Sequence, residues 1–431
     1  MQYYSLNRKA DKSSFENAVK RGLAPDRGLY FPEKITALDA QFFKEFDQLS
    51  NSEIAFYAIR QFIGSEIPET ALKKIIDQTL SFEFPVRDIE PNVSALELFH
   101  GPTMAFKDVG ARFMARCLEY FNSDNDNEVT VLVATSGDTG GAVANGFLGV
   151  KGVKVVILYP SGKVSQVQEK QLTTLGQNIT ALEVEGTFDD CQAMVKKAFL
   201  DTDLTSKKEL TSANSINVAR WLPQMFYFMF AYKQLKHLNK PLVFSVPSGN
   251  FGNICAAMVA QKLGFPFPHF IASNNANDVV SRYLSTKKYS PIPSIQTISN
   301  AMDVGNPSNF TRIQALYNDN FKNLNANLSG FSYSDAATKQ AMEQLYNSSG
   351  YIADPHGAVG YLGCKAYLKL HPAVHTVFLE TAHPTKFLDV VQPIIPKPIE
   401  LPPQIQAVMN RKKIAIPIKD YKAFKANLLA L

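Results

Sequence analysis

The chain has 431 residues, long enough for two or three domains of ordinary size. Hydrophobic residues make up 45% and charged residues 19%, a globular composition that excludes fibrous and disordered classes. The formal charge of +5 is small and dispersed, with no Lys/Arg block of the kind that binds nucleic acid.

In chain order, Phe15, Ala18 and Val19 are spaced for one helical face, and Phe42, Phe43, Phe46 and Leu49 repeat that pattern. Between them, 27–32 reads as extended and ends at Pro32. Further helices are predicted over 52–63 and 68–80. The spacing gives this first part no obvious chemistry. From Glu128 the texture changes to strand, loop, helix, repeated. Strands are predicted over 129–134, 153–159, 179–184, 242–246, 270–272 and 375–379. Ser165 with Gln168 forms a capping-box signature for the helix after the second strand, and a further helix is predicted over 189–199. Asn122–Asn127 reads as a polar surface turn, and the proline-rich tail from Pro393 to Pro403 as an extended surface wrap. Continuously apolar strands alternating with helices imply an α/β fold with parallel sheets covered on both faces. Ligands in such folds sit beyond the carboxyl ends of the strands.

Cys117, Cys191, Cys255 and Cys364 lie far apart with no Cys-x-x-Cys pair, against structural zinc and against a disulfide framework. His371 and His375 sit four apart, but Pro372 breaks the helix that a metal pair would need, so no metal is expected. The first residues lack the apolar core of a signal peptide. The longest greasy run, Met225–Tyr232, falls short of the ~20 residues that span a bilayer. A reduced, cytoplasmic compartment without membrane contact is expected.

Three segments carry chemistry. Phe99-His100-Gly101-Pro102-Thr103-Met104-Ala105-Phe106-Lys107-Asp108 sets one lysine among proline, alanine and phenylalanine. Poor solvation there lowers an ammonium pKa and frees the amine for Schiff-base chemistry; otherwise Lys107 is an ordinary surface lysine. Pro247-Ser248-Gly249-Asn250-Phe251-Gly252-Asn253 follows a strand and opens a helix. It is either a cup of N–H groups for a phosphate or a tight turn without a ligand. It matches neither a Walker loop nor Gly-x-Gly-x-x-Gly. Thr135-Ser136-Gly137-Asp138-Thr139-Gly140-Gly141 offers hydroxyls and amides for a carboxylate, with Asp138 as a partner for a cofactor atom. The alternative is a packing turn in which Thr139 caps the helix. Two such loops near one lysine point to a cofactor aldehyde on Lys107 rather than a nucleotide. Asp354-Pro355-His356-Gly357 reads as a helix-start turn, and His383 is a candidate to line the site.

The lysine motif and its companions resemble the threonine synthases, within the fold-type II pyridoxal-phosphate enzymes. The similarity extends to Asn214-Ser215-Ile216-Asn217 with Arg220, to 301–309, to Thr381-Ala382-His383-Pro384 with Lys386-Phe387, and to 28–32. It implies two parallel-sheet α/β domains flanking pyridoxal 5′-phosphate: a larger one over 96–115 and 216–431, and a smaller one over 116–215. A mainly helical domain over 1–95 precedes them. It implies conversion of O-phospho-L-homoserine and water into L-threonine and phosphate, the last step of threonine biosynthesis, by a monomer. Lys107 would carry the cofactor. Ser248, Gly249, Asn250, Phe251, Gly252 and Asn253 would hold its phosphate, and Thr381 would face the pyridine nitrogen. Thr135, Ser136, Asp138 and Thr139 would grip the substrate carboxylate and border the ring. Ser161, Lys163, Asn217 and Arg220 are the candidates for the substrate phosphate. Many relatives carry asparagine where this chain has Asp138, and an ionised carboxylate cannot donate to the cofactor. It is therefore protonated, turned elsewhere, or matched by a compensating proton. The rivals are a serine or threonine dehydratase, and a silent relative that binds phosphorylated ligands.

Overall fold

Continuously apolar runs become the inner strands of two sheets, because a strand covered on both faces has no polar side to show. The computed structural model describes residues 1–123 and 128–431; most of the expected turn at 122–127 lies outside them. Among the described residues thirteen strands are formed: β1 Tyr3–Ser5, β2 Tyr30–Pro32, β3 Val86–Glu90, β4 Val93–Glu97, β5 Val129–Ala134, β6 Val153–Pro160 and β7 Ile179–Val184. They continue with β8 Glu209–Ser212, β9 Leu242–Pro247, β10 His269–Asn274, β11 Leu328–Ser332, β12 His375–Glu380 and β13 Ile416–Ile418. The six-stranded sheet runs β11-β10-β9-β12-β4-β3, and the five-stranded sheet β13-β7-β6-β5-β8. Apart from the β3–β4 pair, both are parallel throughout.

The other expected strands and helices form within a residue or two of their predicted bounds, including the Ser165–Gln168 capping box, but the segment 27–32 becomes a strand only from Tyr30, with Arg27 in the left-handed region at φ of 67°. The helical expectation for Phe42–Leu49 is too long, since that helix ends at Glu45. β1 pairs with β2 in an antiparallel ribbon at the start of the chain.

Two expected boundaries need correction. β3 and β4 belong to the larger sheet, so the helical region stops before Val86 rather than at 95. β4 escapes a sequence reading because Ser94 and Glu97 interrupt its apolar pattern, yet all five residues are buried. Ser94 Oγ is satisfied by His375 Nε2 at 2.9 Å on the neighbouring strand. The far end of the chain joins the smaller sheet, not the larger. β13 pairs with β7, and Phe424 and Leu428 of the last helix enter the core of Leu182, Val184 and Ile418. Nor is the proline tail a simple wrap, because Pro403 opens a helix to Met409, a position where its missing N–H costs nothing.

The starting segment is tied to the smaller sheet through Thr211 and to the helix Phe310–Leu316 through Arg312. Thr211 Oγ1 and Asn217 Nδ2 donate to Val19 O at 2.9 and 2.8 Å. Arg312 donates to Tyr30 O at 2.9 Å and Ile216 O at 2.7 Å, its guanidinium lying 4.3 Å from the Trp221 ring centre.

Candidate active site

The lysine segment lies across the exit of β12. Phe106 N–H donates to Thr381 O at 2.8 Å, and His383 N–H donates to Met104 O at 3.0 Å. Asp108 accepts the Thr103 N–H at 2.9 Å as well as its hydroxyl, closing the turn that starts the helix Lys107–Phe121. A Cβ on Gly101 would stand 2.4 Å from Asp108 Oδ2, so the turn requires glycine there. Lys107 is thereby held at a helix start with its Nζ 5.4 Å from the Phe106 ring centre, facing a cleft. Burial lowers its pKa to about 8; the Asp138 charge opposes this, and Arg220 and Lys386 lower it further.

The loop after β5 is closed by Thr135, whose Oγ1 accepts the N–H groups of Gly137 at 2.9 Å and Gly140 at 2.8 Å. That hydroxyl braces the turn, and Thr135 also lines the cleft. Thr139 does not cap the helix and lines the cleft with Ser136. Asp138 points away from the cleft into a buried pocket, where Lys386 Nζ stands 2.7 Å and Gln168 Nε2 2.9 Å from its Oδ1. Lys386 Nζ also donates to Thr103 O at 2.9 Å. Burial pushes the Asp138 pKa up, but the Lys386 and Lys107 charges and the two hydrogen bonds outweigh it and hold it near 2. Asp138 is an ionised carboxylate matched by a lysine.

The loop after β9, expected as a cup, turns sharply from strand into helix. Phe251 adopts a left-handed conformation with φ of 61° and turns the chain into the buried helix Gly252–Lys262. A Cβ on Gly249 would lie 2.7 Å from Ala301 O, so glycine allows two backbones to meet there. Gly249, Asn250, Phe251, Gly252 and Asn253 line the cleft. Ser248 does not: its N–H donates to Ser273 O and its hydroxyl to Val246 O, so it braces the cup from behind. Asn250 ties the cup sideways to Ser215 Oγ and the Ser308 N–H.

The cleft encloses about 140 Å³ and brings together Lys107, Ser136, Thr139, Arg220, the cup and Thr381. It shares walls with a 770 Å³ cavity through Asn214 and Asn250, and with a 730 Å³ one through Ser136 and Asn300. Three buried polar atoms without a hydrogen-bond partner, Arg220 Nε, Gln224 Oε1 and Asn300 Oδ1, belong to residues lining it. Buried polar groups are otherwise almost always paired, so these atoms mark a place for a polar ligand.

Other expected members are elsewhere. Asn217 is buried and spends its amide on Val19 O, Ser212 O and the cap of a short helix. Its neighbours Asn214 and Ser215 line the cleft instead, and the Asn-Ser pair in the sequence was the available signal. Ser161 is exposed and donates to Glu183 at 2.7 Å, outside the cleft. Lys163 stands on the wall of the adjoining 730 Å³ cavity. His383 does not line the cleft: it caps a short helix through Thr385 and packs on Phe99. His356, read as part of a turn, does line it. His375 and His371 are apart, the first on Ser94 and the second stacked on Tyr367. The four cysteines are buried free thiols.

A family model described as pyridoxal-phosphate dependent enzyme matches residues 87–380, and models of the threonine synthase N terminus and C-terminal part match 2–80 and 357–427. The chain is 44% identical to the threonine synthase of Serratia marcescens over 406 residues, covering 93% of this chain and 92% of that protein. The crystal structure of threonine synthase from Escherichia coli superposes with a TM-score of 0.94 at 40% identity, covering 100% of both chains. That of pyridoxal-phosphate-bound threonine synthase from Brucella melitensis gives 0.92 at 32% identity, covering 99% of this chain and 98% of that one. With these family models matched along nearly all of its length and relatives above 40% identical covering almost the whole chain, this chain belongs to the threonine synthase family of pyridoxal-phosphate-dependent enzymes.

Proposed function

We propose that this chain converts O-phospho-L-homoserine and water into L-threonine and phosphate. The observation that carries the reading is Lys107, a lysine of lowered pKa facing a cleft whose far wall is an anion cup. The residues fit pyridoxal phosphate: an amine for its aldehyde, a cup whose Gly249 lets backbone approach its phosphate, and the Thr381 side chain for its ring nitrogen. Bound there, the cofactor supplies the electron sink that makes the α- and β-protons of the substrate removable.

The remaining work falls to the chain. The Lys107 amine, poorly solvated and near Arg220, moves protons at Cα and Cβ, which requires it as a free base. Ser136, Thr139 and the first amides of the Asp138–Phe147 helix hold the α-carboxylate. Arg220, Asn214 and Ser215 meet the phosphate; the Arg220 Nε is without a partner and ready for an anion. The reaction breaks the Cγ–O bond, forms a C–O bond from water at Cβ and returns a proton to Cγ. Lys163, on the adjoining cavity wall, guides the anionic substrate inward.

No helix among the described residues is long and apolar enough to cross a membrane. The reading takes the enzyme as a cytoplasmic monomer, which sedimentation at the mass of one chain would check. Turnover of O-phospho-L-homoserine should release phosphate and L-threonine in equal amounts. Keto acid formed from threonine, with no phosphate released from the phosphorylated substrate, would assign the dehydratase reaction instead.

A further inference from the structure

At the cleft wall, His356 stands beside Asp354 at the start of the helix Pro355–Leu368, the two residues 2% and 0% exposed. Asp354 Oδ1 accepts the His356 backbone N–H at 2.6 Å and faces its ring Nδ1 at 2.5 Å. The ring Nε2 accepts the Ala301 N–H at 3.2 Å. An acceptor nitrogen carries no proton, so the ring proton sits on Nδ1 and is donated to Asp354. The other carboxylate oxygen, Oδ2, accepts the Ala382 N–H at 3.3 Å. Neighbouring Glu380 accepts the Asp354 N–H, and burial holds its pKa well above the usual range.

One carboxylate–imidazole pair therefore ties down two backbone stretches far apart in sequence. The first is the Asn300–Met302 turn, whose backbone presses on Gly249 of the cup. The second is the residue after Thr381, beside the lysine segment that Thr381 O anchors. We infer that Asp354 and His356 are positioning residues that set the distance between the phosphate cup and Thr381, and so the seat of the cofactor. This rests on the cofactor seat proposed above. Neither side chain needs to touch a reacting atom: the pair works through the Ala301 and Ala382 amides.

The test is the dissociation constant of pyridoxal 5′-phosphate on the full-length chain, together with hydrogen exchange at the Ala301 and Met302 amides. His356→Phe keeps the ring's packing on Phe387 but has no acceptor for the Ala301 N–H. It should weaken cofactor binding about tenfold and speed exchange at Ala301. His356→Gln, which again offers one donor and one acceptor, should recover binding to within about threefold. Asp354→Asn, which keeps the cap acceptor, should lose about tenfold and serves if the phenylalanine chain does not fold. Wild-type affinity in both His356→Phe and Asp354→Asn would overturn the inference, and so would an equal loss in His356→Gln. Binding is read without substrate, so the result stands apart from the reaction assigned to the site.

Discussion

Lys107 and Asp138 share one electrostatic environment with Lys386 and Arg220, and their protonation follows from it. The Asp138 carboxylate and the Lys386 ammonium are both buried, at 2.7 Å. Asp138→Asn would strand a buried ammonium and should cost about 3–5 kcal/mol in urea unfolding; an unchanged midpoint would refute the pairing. The folded pKa of Asp138, about 2, lies below the ordinary 3.8 of an aspartate. The stability it contributes is therefore present above pH ~4 and lost as pH falls toward 2. For Lys107 the folded value of about 8 lies below 10.5, so folding favours the neutral amine, which grows as pH rises through about 8. Capture of pyridoxal phosphate by the cofactor-free chain should rise with pH around that point, and lower down in Asp138→Asn, where a charge that raises Lys107 is gone. A midpoint unmoved by the substitution would contradict this account. The lysine was legible because its apolar neighbours are adjacent in sequence. Its tuning was not, because Lys386 arrives from beyond β12. Asn217 and Ser248, which do not line the cleft, show why such calls are hard: the hydroxyls and amides that bind anions are the same groups that close turns.

At the scale of elements, two loops depend on glycine in different ways. Gly137 has φ of 140°, and a Cβ there would lie 2.3 Å from Gln168 Cδ. Gly137→Ala should lower stability by about 1–3 kcal/mol and displace Gln168 from Asp138, both readable by calorimetry and the pH profile. Gly249 has an ordinary φ but no room, so Gly249→Ala should act on cofactor affinity more than on melting temperature. An unaltered affinity would remove the close approach of the Ala301 backbone from the account. The apolar strands were readable from their composition. β4, next to the edge strand of the larger sheet, was hidden because the partners of its buried Ser94, Asp88 on β3 and His375 on β12, are brought to it only by strand pairing. β13, three residues with a proline, becomes a strand only because β7 offers a free edge.

Across the whole molecule, the first residues, the smaller sheet and the helix Phe310–Leu316 are joined by a few buried polar ties. Arg312 is the most connected of them, reaching Tyr30 O, Ile216 O and Asn309 Oδ1. Arg312→Met would leave those acceptors buried and unpaired, and should cost about 2–4 kcal/mol of unfolding free energy. A loss below ~0.5 kcal/mol would mean that these ties are dispensable. The resemblance of the motifs gave the family early because its residues cluster in short segments. The partners that tune them come from packing, which one sequence does not display. The most direct measurement of the central claim follows the cofactor and the reaction in one pair of proteins. The full-length chain with pyridoxal phosphate should show the visible absorbance of the cofactor on its lysine and, after borohydride reduction, yield the label on the peptide containing Lys107. It should release one phosphate for each L-threonine formed, and Lys107→Ala should lose both label and turnover. A label on another lysine, or phosphate release undiminished in Lys107→Ala, would contradict it.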